Sequence, residues 1–200
     1  MLSRTDREQY LIGHIPYRLQ SLRMCYFVCN LNLEPHPDLG SELRINWGAV
    51  VDHNDLLNNP IIESGLVYCR VFLEFLGIAR DRKTGELKEI TAPRESGDIF
   101  ITDFGLPRLT TTQAVSGFDY ASPDEVEAAI CNVIENANKA VAHLTSGPKL
   151  PATYPSLKLA CRVVTDLVHR HLYIPLGEDP IVLPIEDRAL VAPTVRFPPG

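Results

Sequence analysis

No apolar run in this chain approaches the roughly 20 residues that a membrane-spanning helix needs, so no membrane association is expected. Positive charge is also scarce. Nineteen Lys and Arg stand against 25 Asp and Glu, giving a net charge of −6 and a pI near 5.5. That excludes a large cationic surface that holds nucleic acid by charge alone, and it admits RNA only through a local basic groove. Five cysteines, an odd number, do not make a disulfide framework and fit a reducing compartment, so a cytoplasmic protein is expected. The opening MLSRTDREQY has no apolar core behind its basic residues and does not read as a secretory leader. Also missing are a glycine-rich phosphate loop, an H-E-x-x-H pair, a nucleophile elbow and the E-x-x-H pairs of di-iron bundles. Neither cofactor nor metal is expected. Cys25 and Cys29 lie one turn apart but lack a second Cys/His pair at a ligand spacing. Asp52 to Asp55 reads as a solvated turn, and His169 and His171 fall on different faces of a helix.

What the chain does have is helix signals. Ser122, Pro123 and Glu125 supply a cap, a first-turn proline and a capping box. Gly147 and Pro148 supply the stop. Between them Val126, Ile130, Val133, Ala137 and Leu144 form one apolar stripe. Beside it runs a polar row, Asn132, Asn136, Lys139 and His143; the first three are expected to be a solvated face, and His143 a helix-end histidine bonded to a last-turn carbonyl. Thr5 to Glu8 reads as another capping box, opening a helix to about Asn30 whose stripe is Ile12, Ile15, Leu19, Leu22, Tyr26 and Cys29. Pro16 removes a hydrogen bond there, so a kink or break is expected near His14. Asn59-Pro60 is expected to start a third helix, with Ile62, Leu66, Cys69, Leu73 and Leu76 inward, widened by Phe72 and Phe75. A fourth spans Ser156 to Tyr173, with Leu157, Cys161, Val164, Val168 and Leu172 inward.

The connections are less regular. Residues 41–57 carry a weak helical pattern that Trp47 would anchor. Residues 80–121 read as a long ordered connection lying across the bundle. The charged turn Asp81 to Glu86 in it is either a hairpin tip or a helix extension. From Pro175 onward helical periodicity ends and six of the sixteen prolines fall, which favours an extended arm that docks on its own bundle or on a partner. The expected organisation is all-α: an up-and-down bundle of four to five helices over residues 1–174, then a Pro-rich C-terminal arm over 175–200. A chain cut near Tyr173 is expected to stay folded.

Three fragments in order, CRVFLEFLG, GDIFITDF and NKAVAHLT, resemble a group of uncharacterised bacterial helical proteins that are in turn similar to HEPN domains. The resemblance spans about residues 61–146. It implies a HEPN-like bundle of four to five helices, a fold found in RNA-cleaving toxins and in defence and stress systems, and homodimeric association. Catalytic HEPN domains carry R-x(4–6)-H at a dimer cleft. On this chain the histidine is His143, and the arginine position seven residues earlier holds Asn136. An amide cannot neutralise a phosphorane, and Lys139 substitutes only in part. The implied function is therefore a non-catalytic or degenerate interaction module. The alternative is a metal-independent endoribonuclease of toxin or defence type using His143 with Lys139 or with an arginine from another helix. Literal R-x6-H spacings at Arg7/His14 and Arg162/His169 are as frequent as chance allows. Arg70 is expected to be buried and paired, with Glu74 or with Asp98 and Asp103 of the connecting loop. Arg70→Ala should then cost on the order of 3 kcal/mol.

Overall fold

The computed structural model describes residues 3–33, 43–45, 48–50, 54–91, 97–138, 154–180, 182 and 185. The chain is mostly helical. In order it runs α1 (Arg4–Gln9), a π-turn (Tyr10–His14), α2 (Ile15–Leu33), β1 (Leu43–Ile45), β2 (Gly48–Val50) and α3 (Asn54–Leu76). There follow β3 (Ile78–Arg80), β4 (Leu87–Glu89), a 3-10 turn (Ile101–Phe104), α4 (Thr111–Val115) and α5 (Pro123–Asn136). The chain then continues through α6 (Tyr154–Val168), a second π-turn (His169–Tyr173) and α7 (Ile174–Leu176). The long helices α2, α3, α5 and α6 share one core, with α2 packed against both α3 and α6 and α5 against α6.

The stripes read from periodicity are the buried faces. Val126, Ile130, Val133 and Ala137 of the α5 segment are all buried, as are Leu157, Cys161, Val164, Val168 and Leu172 of the α6 segment. The cap of α5 forms as expected. Ser122 Oγ accepts the Glu125 N–H at 3.4 Å, and the Glu125 carboxylate accepts the Ser122 N–H at 2.8 Å. The expected end of this helix at Gly147 lies outside the described residues.

Where α2, α3 and α6 meet, backbone approach is unusually close. Gly65 of α3 faces Cys25 of α2, and a Cβ added to it would lie 2.2 Å from Cys25 Sγ and 2.5 Å from Cys25 Cβ. Around that contact gather Cys25, Cys29, Cys69 and Cys161, all fully buried, with Cys69 and Cys161 Sγ atoms 3.9 Å apart. Burial and thiol–thiol contact push the Cys25, Cys29 and Cys161 thiols far above the ordinary range. They behave as small core residues, inert as nucleophiles.

Two π-turns share one cause. Each is followed by Ile-Pro, and in each the Ile N–H reaches back to the first residue of the turn: Ile15 to the Tyr10 carbonyl, Ile174 to the His169 carbonyl. Pro16 has no N–H, and Ile15 spends its own on Tyr10, so the Leu11 carbonyl has no amide donor in either helical pattern. The hydroxyl of Tyr173, in the second π-turn, donates to that carbonyl at 3.1 Å. The two interrupted helices are thus joined at their irregular turns.

Several expectations are corrected. The first cap is Ser3, whose Oγ accepts the Asp6 N–H at 3.1 Å, not Thr5. The extra residue of the π-turn rotates the stripe, so Ile12 is 68% exposed rather than inward. Leu43–Ile45 and Gly48–Val50 are an antiparallel strand pair, with Leu43 opposite Val50, rather than helix. Trp47 lies outside the described residues. The third helix starts at Asn54 and carries Pro60 in its second turn, on an exposed side. Within residues 80–121, the charged turn is the tip of the β3–β4 hairpin. Asp81 there accepts the N–H groups of Lys83 and Thr84 and the Lys88 ammonium, which holds its carboxyl down at about 2. Gly77, at φ +96°, turns the chain from α3 into β3, and a Cβ there would strike Arg108 at 2.8 Å.

Past Gly177 the chain returns to the bundle: Val182 and Ile185 are each only 6% exposed and belong to the core cluster. Cutting the chain after Tyr173 uncovers the core beneath these two side chains. The loss expected in a chemical denaturation curve is about 3–6 kcal/mol, taking about 1.5–3 kcal/mol for each of the two buried aliphatic side chains as an upper bound. An unchanged midpoint would show that neither contact stabilises the bundle.

Candidate functional site

The principal cleft forms where the first π-turn faces α3 and the segment after the β3–β4 hairpin. Its volume is about 310 Å³. Tyr10, His14, Ile15 and Arg18 come from the π-turn and the start of α2; Val71, Phe72, Glu74 and Phe75 come from α3; Ile90 and Gly97 to Phe100 close the third side. Local sequence places each group. Phe72 and Phe75 belong to the broad apolar face of α3, and both are buried, as are Ile15 and Phe100. Phe75 meets Phe104 edge-on at 5.8 Å, and the Arg108 guanidinium lies 4.6 Å from the Phe100 ring centroid. Arg108 also donates to the Ile90 carbonyl at 2.8 Å, and Leu109 N–H donates to the Leu76 carbonyl at 2.9 Å. These bonds fasten the loop wall to the helix wall. The π-turn matters because its wide backbone brings the His14 ring onto Tyr10, with centroids 4.9 Å apart. The His14 carbonyl accepts from Arg18 at 2.8 Å.

Arg70 is linked to the cleft through Glu74, and Asp98 lies on its rim. Arg70 Nε donates to Glu74 Oε1 at 3.1 Å, and Glu74 and Asp98 both line the cleft. The Arg70 and Glu74 side chains are 29% and 28% exposed, a half-buried pair one turn apart rather than a buried ion pair. Asp98 is exposed. Asp103 acts locally, its Oδ2 accepting the Phe100 N–H at 3.0 Å and so opening the 3-10 turn. Asn136 corrects the solvated-face reading. It is only 7% exposed, and its Nδ2 donates to Asn132 Oδ1. A polar residue can sit on the buried side of a helix when its amide finds a partner of its own kind one turn away. His143 and Lys139 lie outside the described residues. Among the described residues no cluster of His, Cys, Asp and Glu could hold a metal ion.

A second cationic region lies along α6, and its charges are committed to structure. The Arg162 guanidinium lies 3.6 Å from the Tyr120 ring centroid, and Arg170 lies 4.7 Å from that of Phe118. Arg170 donates to the Gly117 carbonyl at 2.7 Å, and Tyr120 donates to Asp166 at 2.7 Å. Burial and the Asp166 carboxylate push the Tyr120 hydroxyl far above its ordinary range. Together they clamp the segment before α5 onto α6. His169 is 5% exposed, stacks edge-on with Tyr173 at 5.9 Å, and is held below its ordinary value of 6.5 by burial. His171 is lowered too, by burial and by Arg170.

The chain matches no protein-family model, no curated protein and no solved structure. No helix among the described residues is long and apolar enough to cross a membrane.

Sequence reasoning missed the cleft as a site. Arg18 and Tyr10 carry no motif, His14 carries only its chance R-x6-H spacing with Arg7, and the proline that produces the π-turn marked the place. The α4 cap was visible as Thr110 and Gln113, a capping box inside what read as loop.

Two expectations follow from this geometry. For a half-exposed pair at i,i+4, Arg70→Ala should cost about 0.5 kcal/mol rather than about 3. A loss near the larger figure in a denaturation curve would mean that a buried carboxylate depends on Arg70. For His169, the pKa is lower in the folded chain than in the unfolded one, so the unfolded chain takes up the proton first. Its contribution is present in full above pH 6.5 and is lost as pH falls below that value toward the folded pKa. The neighbouring charges are Asp166, which favours the proton, and Arg23, which opposes it. His169→Gln should flatten the decline of unfolding free energy below pH 6.5. An equally steep decline in the variant would assign it to other groups.

Proposed function

We propose that the chain is a non-catalytic, HEPN-like helical interaction module, acting by binding rather than by cutting RNA. The observation that carries this reading is Asn136. At the position where the resemblance would require an arginine stands a buried amide, engaged with Asn132. The other two R-x6-H spacings support the same reading. Arg162 is laid on Tyr120 and His169 is buried, and the His14 ring is stacked on Tyr10. Homodimerisation, a protein partner for the Pro-rich C-terminal arm and residence in the cytoplasm belong to the same reading. Its rival is the metal-independent endoribonuclease using His143 with Lys139 or an arginine from another helix.

Purified protein and its His143→Ala variant, each incubated with structured and with single-stranded RNA, separate the two. Neither protein is expected to cleave, and the variant's stability should fall by about 1 kcal/mol or less through lost helix-end interactions. Cleavage by the wild type that vanishes in His143→Ala would establish the nuclease and overturn the module.

A further inference from the structure

The cleft between the first π-turn, α3 and the loop wall has a chemistry that the interaction-module reading does not use. Its floor is apolar and aromatic: Ile15, Phe72, Phe75 and Phe100 are all buried. Its rim carries charge of both signs from separate elements. Arg18 stands on the α2 side, Glu74 on α3 and Asp98 on the loop. Arg70, outside the lining, stands behind Glu74 and bonds it at 3.1 Å. At about 310 Å³ the cup sits at the small end of small-molecule sites, which span about 300–1,000 Å³. That size suits one ring or one branched chain and is too small for a nucleotide.

We infer that this cleft binds a zwitterionic small molecule with an apolar body, of the class of a free aromatic or branched aliphatic amino acid. The side chain enters the phenylalanine-lined floor. The carboxylate meets Arg18, whose guanidinium has five donors and spends one on the His14 carbonyl. The ammonium meets the Glu74 and Asp98 side of the rim. A ligand with only one charge forgoes the contact with the rim charge of the other sign, which costs affinity. Walls fastened by Arg108 to Ile90 and by Leu109 to Leu76 make the cup largely preformed. Binding here is independent of whether the chain also engages a protein or cleaves RNA.

The test is a thermal-unfolding and calorimetric titration of the full chain with L-phenylalanine and L-leucine at millimolar concentration. 3-Phenylpropionate and 2-phenylethylamine serve as single-charge controls. At saturating ligand the amino acids should raise Tm by about 2–4 °C, and the controls by less than half as much. Val71 is 40% exposed and lines the cleft, so Val71→Trp should fold normally and abolish the shift by filling the mouth. Arg18→Met should bring phenylalanine down to the response of phenylethylamine. Absence of any shift with both amino acids overturns the inference. So does an equal shift with the single-charge controls, or a shift retained in Val71→Trp.

Discussion

The fold turns on one close approach. Three long helices, α2, α3 and α6, can share a core at this spacing only because position 65 lacks a side chain where α3 meets Cys25. Four small thiols fill the space around the contact, and their polarizable sulfurs pack where larger branched residues would force the helices apart. Everything peripheral then follows from helices held at this distance. Phe72 and Phe75 can reach the loop wall, the loop can be tied by Arg108, and a cleft remains beside the π-turn.

The prolines supply the second constraint. An Ile-Pro step inside a helix removes one donor, and the chain answers twice by widening the turn rather than breaking it. The carbonyl left over at Leu11 is satisfied from the far end of the sequence, by Tyr173. A local defect thus becomes a long-range tie, and the same widened turn presents Tyr10, His14 and Arg18 to the cleft.

Most of the bundle was legible because a period of three to four residues over 15 or more positions survives tertiary context. The stripes of α3, α5 and α6 are buried nearly residue for residue. Ile12 was not legible, since the π-turn shifts the phase by one residue and no periodicity announces it. The β1–β2 pair was not, since three-residue strands are too short to show alternation against a weak helical pattern. Its place in a polar row marks Asn136 as solvated, and only its partner explains its burial. The cleft was least legible of all. It joins residues 10–18, 71–75, 90 and 97–100; the fragments CRVFLEFLG and GDIFITDF run along two of its walls without announcing a cleft, which exists only after the helices have packed. Conversely, the residues that did carry a pattern, Asp98, Asp103 and Arg70, serve as a rim charge, a turn cap and an i,i+4 pair.

The dependence of the bundle on Gly65 is open to a direct measurement: equilibrium unfolding of Gly65→Ala and of the exchange variant Gly65→Ala with Cys25→Gly. One methyl group wedged against Cys25 should cost at least about 3 kcal/mol, at the upper end of what overpacking costs in a filled core. Moving the missing side chain to the facing helix should recover part of that loss, despite about 1 kcal/mol for glycine within α2. A Gly65→Ala protein as stable as the wild type, or an exchange variant no more stable than the single substitution, would contradict the account.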